Sequence, residues 1–319
     1  MNLLFELSGE NPALAVAEIG CVGTVNRTAT GIALAEVPEP ETTTRLAQTH
    51  VIMELIGECD GTSAALTELL AHLDITADRP FACRVRKIHP ATVDASQLDL
   101  ERMMGKSIHG NVSLQSPEIE YRALFTDNRC YLGRVLYTID RGSYAYRNPQ
   151  RRAFFHPGVM MPLMARTMVN LTHVRPGELL CDPFCGTGGM LLETELMGVR
   201  SIGSDYDPEM LAGCRKNLPD GAYVRADATR MPYPDNCFDA VATDLPYGQS
   251  TTIGADSLDL LYTESLKEIR RILKQGGKAV VVTHRDIRHL AETLFEISGY
   301  YEQRVHKSLT RRILVLSGK

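Results

Sequence analysis

The residues best suited to chemistry lie in the second half of the chain. The run Asp244-Leu245-Pro246-Tyr247-Gly248 directly follows the apolar stretch Phe238-Asp239-Ala240-Val241-Ala242-Thr243. An acid, a proline-fixed turn and an aromatic ring at a strand end can hold a planar base that carries an exocyclic amino group. The Asp244 carboxylate and the Leu245 carbonyl would each accept one N–H of that amine. The Tyr247 ring would lie on the base face, where stacking is worth roughly 1–3 kcal/mol. Pro246 steers Leu245 out of the helical region, so its carbonyl is free to face a cleft. Taken alone, the same residues equally suit a strand followed by an ordinary Pro-Tyr-Gly turn.

Three other strand ends carry acids or glycines. Glu178–Cys181 reads as a strand leading into Asp182-Pro183-Phe184-Cys185-Gly186-Thr187-Gly188-Gly189, with a helix opening at Met190. Glycines let such a loop turn tightly and approach a ligand, and the helix start offers unsatisfied N–H groups. The spacing is neither G-x-G-x-x-G nor a P-loop. A second strand, Arg200–Ser204, ends in Asp205-Tyr206, where an acid suits a ribose diol. A third, Ala222–Ala226, ends in Asp227-Ala228, a seat for an adenine amino group. Ligands of open parallel α/β sheets bind outside the carboxyl ends of the strands, so these four places converge.

The elements that must position them follow from periodicity. Helices are predicted over 208–217, 256–274 and 286–297, with strands at 278–283, 301–305 and 312–316. Helix 256–274 carries Leu258, Leu261, Leu266, Ile269 and Leu273 at helical spacing. In the first half, strands are expected at 3–7, 31–37, 81–88, 119–125 and 130–138. Helices are expected at 12–22, 62–73 and 99–108, the first started by Asn11-Pro12. Arg84 and Arg86 share one face of their strand. Residues 141–157 hold Arg141, Arg147, Arg151 and Arg152 among Tyr144, Tyr146, Gly142 and Pro149, which reads as a basic linker able to track a nucleic-acid backbone.

With 319 residues the chain can hold two or three domains. The net charge of −5 excludes a globally basic nucleic-acid protein, so any RNA contact must come from local patches. The eight cysteines are scattered without zinc spacing, so no structural metal is expected. No membrane-length apolar run or secretory leader pattern is present, which favours the cytoplasm.

Asp182-Pro-Phe-Cys-Gly-Thr-Gly-Gly, Asp205, Asp227-Ala228 and Asp244-Leu-Pro-Tyr-Gly, in that order, resemble an S-adenosylmethionine-dependent amino-methyltransferase of the Rossmann-like class. Three pieces resemble a THUMP RNA-binding domain: Phe81–Lys87, Met104-Gly105-Lys106-Ser107-Ile108 and Val112–Glu118. Phe155-His156-Pro157-Gly158 through Arg166 and the tail His306–Arg312 complete a resemblance to the archaeal tRNA guanosine-10 N2-methyltransferase family. It departs from the D-P-P-Y pattern at Leu245; the carbonyl needed there belongs to any residue, so the departure is expected to be tolerated.

The resemblance implies an α/β chain in four parts. These are a ferredoxin-like α+β unit over 1–50, a THUMP-like domain over 51–140, the linker 141–157, and a methyltransferase domain over 158–319. The last would have a mostly parallel sheet closed by an antiparallel hairpin strand. S-adenosylmethionine would be held by Asp182, Phe184, Cys185, Gly186, Thr187, Gly188, Asp205, Tyr206, Asp227, Ala228 and Asp244. Asp244, Leu245, Pro246 and Tyr247 would bind the guanine. Arg84, Arg86, Arg141, Arg147, Arg151 and Arg152 would touch tRNA. The resemblance also implies a small zinc-binding activator protein covering an apolar edge of the catalytic domain, with strands near 222–226 or 238–243 as candidates. Competing readings are an amino-methyltransferase acting on another RNA or DNA base, and a non-catalytic RNA-binding protein that retains the cofactor fold.

Overall fold

The computed structural model describes residues 1–248 and 255–318, in two units. The first takes Met1–Thr44 and Gln48–Ile139. Its strands are Asn2–Leu7 (β1), Thr24–Ala29 (β2), Ile32–Glu36 (β3), Thr49–Asp60 (β4), Phe81–Lys87 (β5), Ile119–Thr126 (β6) and Arg129–Thr138 (β7). They form one sheet in the order β2-β3-β1-β4-β7-β6-β5, antiparallel except for the β5–β6 pair. Three helices, Pro12–Ile19 (α1), Ser63–Leu73 (α2) and Gln97–Ser107 (α3), are capped by the side chains of Asn11, Thr62 and Ser96. Leu66, Leu70, Leu100 and Met104 from α2 and α3 pack on Phe81, Phe125 and Leu132 of the sheet. Asp127 and Asn128, both at positive φ, make the two-residue turn between β6 and β7.

The expected division at residue 50 falls inside β4, and the seven strands share one sheet, so 1–139 is a single unit. Strand β2 escaped the sequence reading because its residues, Thr-Val-Asn-Arg-Thr-Ala, are mostly exposed on a sheet edge and show no apolar period.

The second unit takes Arg45–Ala47 and the chain from Asp140 onward. Its strands are Leu179–Asp182 (β8), Arg200–Asp205 (β9), Ala222–Arg225 (β10), Phe238–Asp244 (β11), Leu273–Thr283 (β12), Phe295–His306 (β13) and Leu309–Gly318 (β14). The order is β10-β9-β8-β11-β12-β14-β13; the first five run parallel and the β13–β14 hairpin closes the sheet antiparallel. The helices are Pro162–Leu171 (α4), Gly189–Glu195 (α5), Pro208–Asn217 (α6), Ala255–Ile272 (α7) and Arg288–Ala291 (α8). Proline starts α4 and α6, where its missing N–H costs nothing. Helix α7 buries Leu258, Tyr262, Leu266 and Ile269 against Phe238, Val241 and Leu314. Each such side chain contributes about 1.5–3 kcal/mol.

Three expectations are corrected here. Residues 141–157 are no free linker: two short 3-10 turns, Arg141–Arg147 and Pro149–Arg151, bury Tyr144, Arg147 and Pro149 within the second unit. The helix expected at 286–297 is cut to α8, because Phe295 already begins a strand paired to β14. Strand β11 cannot offer an edge, being flanked by β8 and β12, whereas β10 is the edge strand.

Candidate active site

The acids stand at successive carboxyl ends of the parallel strands. Asp182, at the end of β8, is buried and accepts hydrogen bonds from Thr243 Oγ1 (2.8 Å) and the Phe184 N–H (3.2 Å). Burial outweighs these bonds and pushes its pKa up to about 7. The loop that follows turns through Gly186 and Gly188, at φ +51° and +83°. At Gly188 a Cβ would lie 2.6 Å from Cys214 Sγ, so glycine is needed twice over. Asp205, at the end of β9, ties this loop down by accepting the Gly186 N–H (2.9 Å), and it also accepts the Asp207 N–H (2.9 Å). Burial raises its pKa. Asp227 follows β10 and accepts from the Thr229 N–H and hydroxyl through one oxygen, Oδ1.

Asp244 closes β11. Its Oδ1 accepts the Tyr247 hydroxyl (2.7 Å), and its Oδ2 lies 3.6 Å from Arg311 Nη2. Arg311, at the start of β14 and 7 % exposed, also donates to the Tyr247 oxygen (3.1 Å) and to the Gly158 carbonyl (3.2 Å). Burial raises the Asp244 pKa to about 6, opposed by the Arg311 charge and the Tyr247 hydrogen bond. Burial, then the Asp244 charge, raises that of Tyr247. The turn itself is fixed by the buried Tyr262 of α7, whose hydroxyl donates to the Pro246 carbonyl (2.6 Å). The Tyr247 ring packs on His284, centroids 4.9 Å apart at 40°.

A cleft of about 220 Å³ joins these parts. It brings together Asp182, Phe184, Cys185, Gly186 and Thr187 with Asp244, Leu245 and Tyr247. Pro246 and Gly188 do not line it; Gly188 is the N-cap residue of α5. Asp205, Tyr206, Asp227 and Ala228 lie outside the cleft, along the ends of the neighbouring strands; Tyr206 is 69 % exposed there. A cofactor with a nucleoside at one end and a reactive group at the other matches this division.

Among the arginines expected to touch RNA, Arg147 is overturned: it is buried in an ion pair with Glu193. Arg152 has its terminal nitrogens shielded from solvent, which removes it as a phosphate ligand. Arg151 is exposed, Arg141 and Arg84 are half-buried, and Arg86 pairs with the buried Glu6. Arg311, Tyr262 and His156, the last of which also lines the cleft, were missed as site residues. The only sequence signal for Arg311 was its place in the tail His306–Arg312.

The residues fit S-adenosylmethionine: a glycine loop, an acid beside it at the next strand end, and the buried, unpartnered Nη1 and Nη2 of Arg152 near Gly189. Residues 149–313 match the family model described as RMKL-like, methyltransferase domain. The tRNA (guanine(10)-N2)-dimethyltransferase of Methanothermobacter thermautotrophicus is 34 % identical over 99 % of both chains. The protein of the same name from Pyrococcus abyssi is 30 % identical over 98 % of this chain and 99 % of its own. The chain belongs to the tRNA (guanine(10)-N2)-dimethyltransferase family. The crystal structure of TrmN from Thermus thermophilus shares the fold, with TM-score 0.54 and 18 % identity over the whole of both chains.

The departure at Leu245 has a structural reason. Its amide donates to the Val282 carbonyl (2.9 Å), a bond that proline cannot make, and its side chain is buried beside Leu258 and Tyr262. The substitution ties the turn into the β12 strand, and the backbone carbonyl that the pattern needs is unaffected by it.

Proposed function

We propose that this chain moves a methyl group from S-adenosylmethionine to the N2 amine of guanosine 10 in tRNA, and does so twice. The observation that carries this reading is the shared cleft: the glycine loop after β8 and the Asp244–Tyr247 turn line one space. Membership of a family whose relatives bear the dimethyltransferase name supports both the nucleotide and the second transfer.

Bound S-adenosylmethionine supplies an electrophilic sulfonium methyl. A guanine amine is a poor nucleophile, because its lone pair is delocalised into the ring. Asp244 and the Leu245 carbonyl accept its two N–H groups and favour a pyramidal nitrogen whose lone pair points across the cleft. A carboxylate has about four acceptor sites, so Asp244 can serve an amine while still receiving the Tyr247 hydroxyl. Tyr247 offers its ring to the base, and Arg311 keeps Asp244 ionised. Alignment of two held reactants can supply roughly 7–11 kcal/mol of the barrier. Asp244, with a pKa of about 6, would take the proton that the amine releases on methylation and pass it to solvent. Reaching a stem guanine requires base extrusion, at a cost of about a few kcal/mol.

The first unit, read as the THUMP-bearing half, holds the tRNA. Arg84 and Arg86 share a face of β5, and Arg122 stands beside Arg84 in register. Arg141 and Arg151 add positive charge in the catalytic unit. The edge strand β10 is the surface on which a small zinc-binding activator would extend the sheet. Among the described residues no helix is long and apolar enough to cross a membrane.

The decisive variant is Asp244→Ala. Cofactor affinity by calorimetry should stay within about threefold of wild type, while the methyl-transfer rate falls by roughly 10²–10⁴. Near-normal turnover would remove Asp244 from the mechanism.

A further inference from the structure

Around α5 the protein buries three guanidinium groups against one carboxylate. Arg147 and Arg166, 7 % and 9 % exposed, both grip the fully shielded Glu193, at 2.9 and 2.8 Å. The Arg147 guanidinium also lies 3.8 Å above the Tyr144 ring. The third, Arg152, has a different surrounding. Its Nε donates to the Arg147 backbone carbonyl (2.9 Å), which fixes the direction of the fork. Its Nη1 and Nη2 are shielded from solvent and have no hydrogen-bond partner among the described residues. A Cβ built on Gly189 would lie 3.5 Å from Arg152 Nη1 and 3.7 Å from Val159 Cγ1, and both Gly189 and Val159 line the cleft.

A buried cation without a counter-charge is expensive, and proteins pair such groups. Glu193 already serves two arginines, so the pocket carries an excess of positive charge. Burial lowers the pKa of Arg152 by more than the charge of Glu193 offsets. The fork presents two parallel N–H donors, the geometry that takes a carboxylate in bidentate fashion.

We propose that Arg152, through Nη1 and Nη2, binds the α-carboxylate of the methionine moiety of S-adenosylmethionine and so sets the depth at which the methyl group sits in the cleft. Arg147 and Arg166, locked on Glu193, are positioning residues that keep the third guanidinium from collapsing onto that acid. This assignment rests on the cofactor reading above.

Decarboxylated S-adenosylmethionine isolates the contact, because it keeps the nucleoside and the sulfonium and lacks only the carboxylate. Calorimetry of the full chain with each compound should show wild-type protein binding S-adenosylmethionine on the order of 30-fold tighter, the effect of a desolvated charge pair worth about 2 kcal/mol. Arg152→Met should bind the decarboxylated compound within about twofold of wild type and lose the preference, while Arg152→Lys should keep part of it. Equal loss of affinity for both compounds in Arg152→Met, or an intact preference, overturns the assignment. Should Arg152→Met not fold, a wild-type preference below about threefold overturns it alone, and a preference that Arg152→Lys reduces supports it. Wild-type protein that binds neither compound overturns the cofactor reading itself and this assignment with it.

Discussion

Replacing Arg311 by methionine should move the acid limb of the pH–rate profile. Arg311 Nη2 stands 3.6 Å from Asp244 Oδ2, with side-chain exposures of 7 % and 23 %. At an effective dielectric near 20, two unit charges at that separation attract by about 4–5 kcal/mol before desolvation is counted. Partial exposure of Asp244 reduces this, and opposite charges at such range typically move a carboxyl by about 1–3 pH units. We therefore expect the limb near pH 6, set by Asp244, to rise to about 7–8 in Arg311→Met. The sign follows from the chemistry: Asp244 accepts N–H bonds only when ionised, so activity is lost as pH falls through its pKa. At pH 7 the ionised share drops from roughly nine-tenths to between a half and a tenth, a two- to tenfold loss of kcat/KM that recovers by about pH 9. The assay is methyl transfer to a tRNA transcript between pH 5 and 9, with cofactor affinity measured alongside. Arg311→Lys should return part of the limb. An unmoved limb, or a loss equal at every pH, would show that Arg311 braces the turn and does not govern Asp244.

Tyr247→Ala should raise the KM for tRNA by roughly 5- to 150-fold, the equivalent of about 1–3 kcal/mol of stacking, while Tyr247→Phe keeps most of the affinity. Gly188→Ala places a Cβ against Cys214 Sγ at a φ of +83°, and urea unfolding should register a loss of about 1–3 kcal/mol. Asp182 has a folded pKa of about 7, raised by burial above its ordinary 3.8. Its contribution is therefore full below about pH 4 and lost as pH rises through about 7, on the order of a few kcal/mol. Asp182→Asn should flatten stability between about pH 4 and 7, read from urea midpoints; an unchanged slope would assign the dependence to other groups.

The catalytic half was legible because its signals are local. Each acid closes its own short strand, the glycines announce the loop, and α7 shows its buried face every three or four residues. What stayed hidden depends on distant partners or on burial that composition conceals. Arg311 reaches Asp244 only because β14 pairs antiparallel with β12, which lies beside β11. Arg147 and Arg152 looked like surface charge among tyrosines and a proline; Arg147 is held inside by Glu193 on α5, a partner that the sequence spacing does not mark, and Arg152 is tied to the Arg147 backbone carbonyl. The polar edge strand β2 had no apolar period to betray it, and the helix expected at 286–297 gave way because pairing with β14 outweighed local propensity. The unity of the first sheet was equally non-local, since β4 continues across the place where the composition invited a boundary.

Methyl transfer from labelled S-adenosylmethionine to unmodified tRNA transcript, followed by mass spectrometry of the nucleosides, tests the central claim most directly. It would be run with and without a purified zinc-binding activator. N2-methylated and N2,N2-dimethylated guanosine should appear, vanish when guanine 10 is replaced, and fall to trace amounts in Asp244→Ala. Cofactor binding without any methylated guanosine, under both conditions, would contradict the assignment of tRNA as substrate.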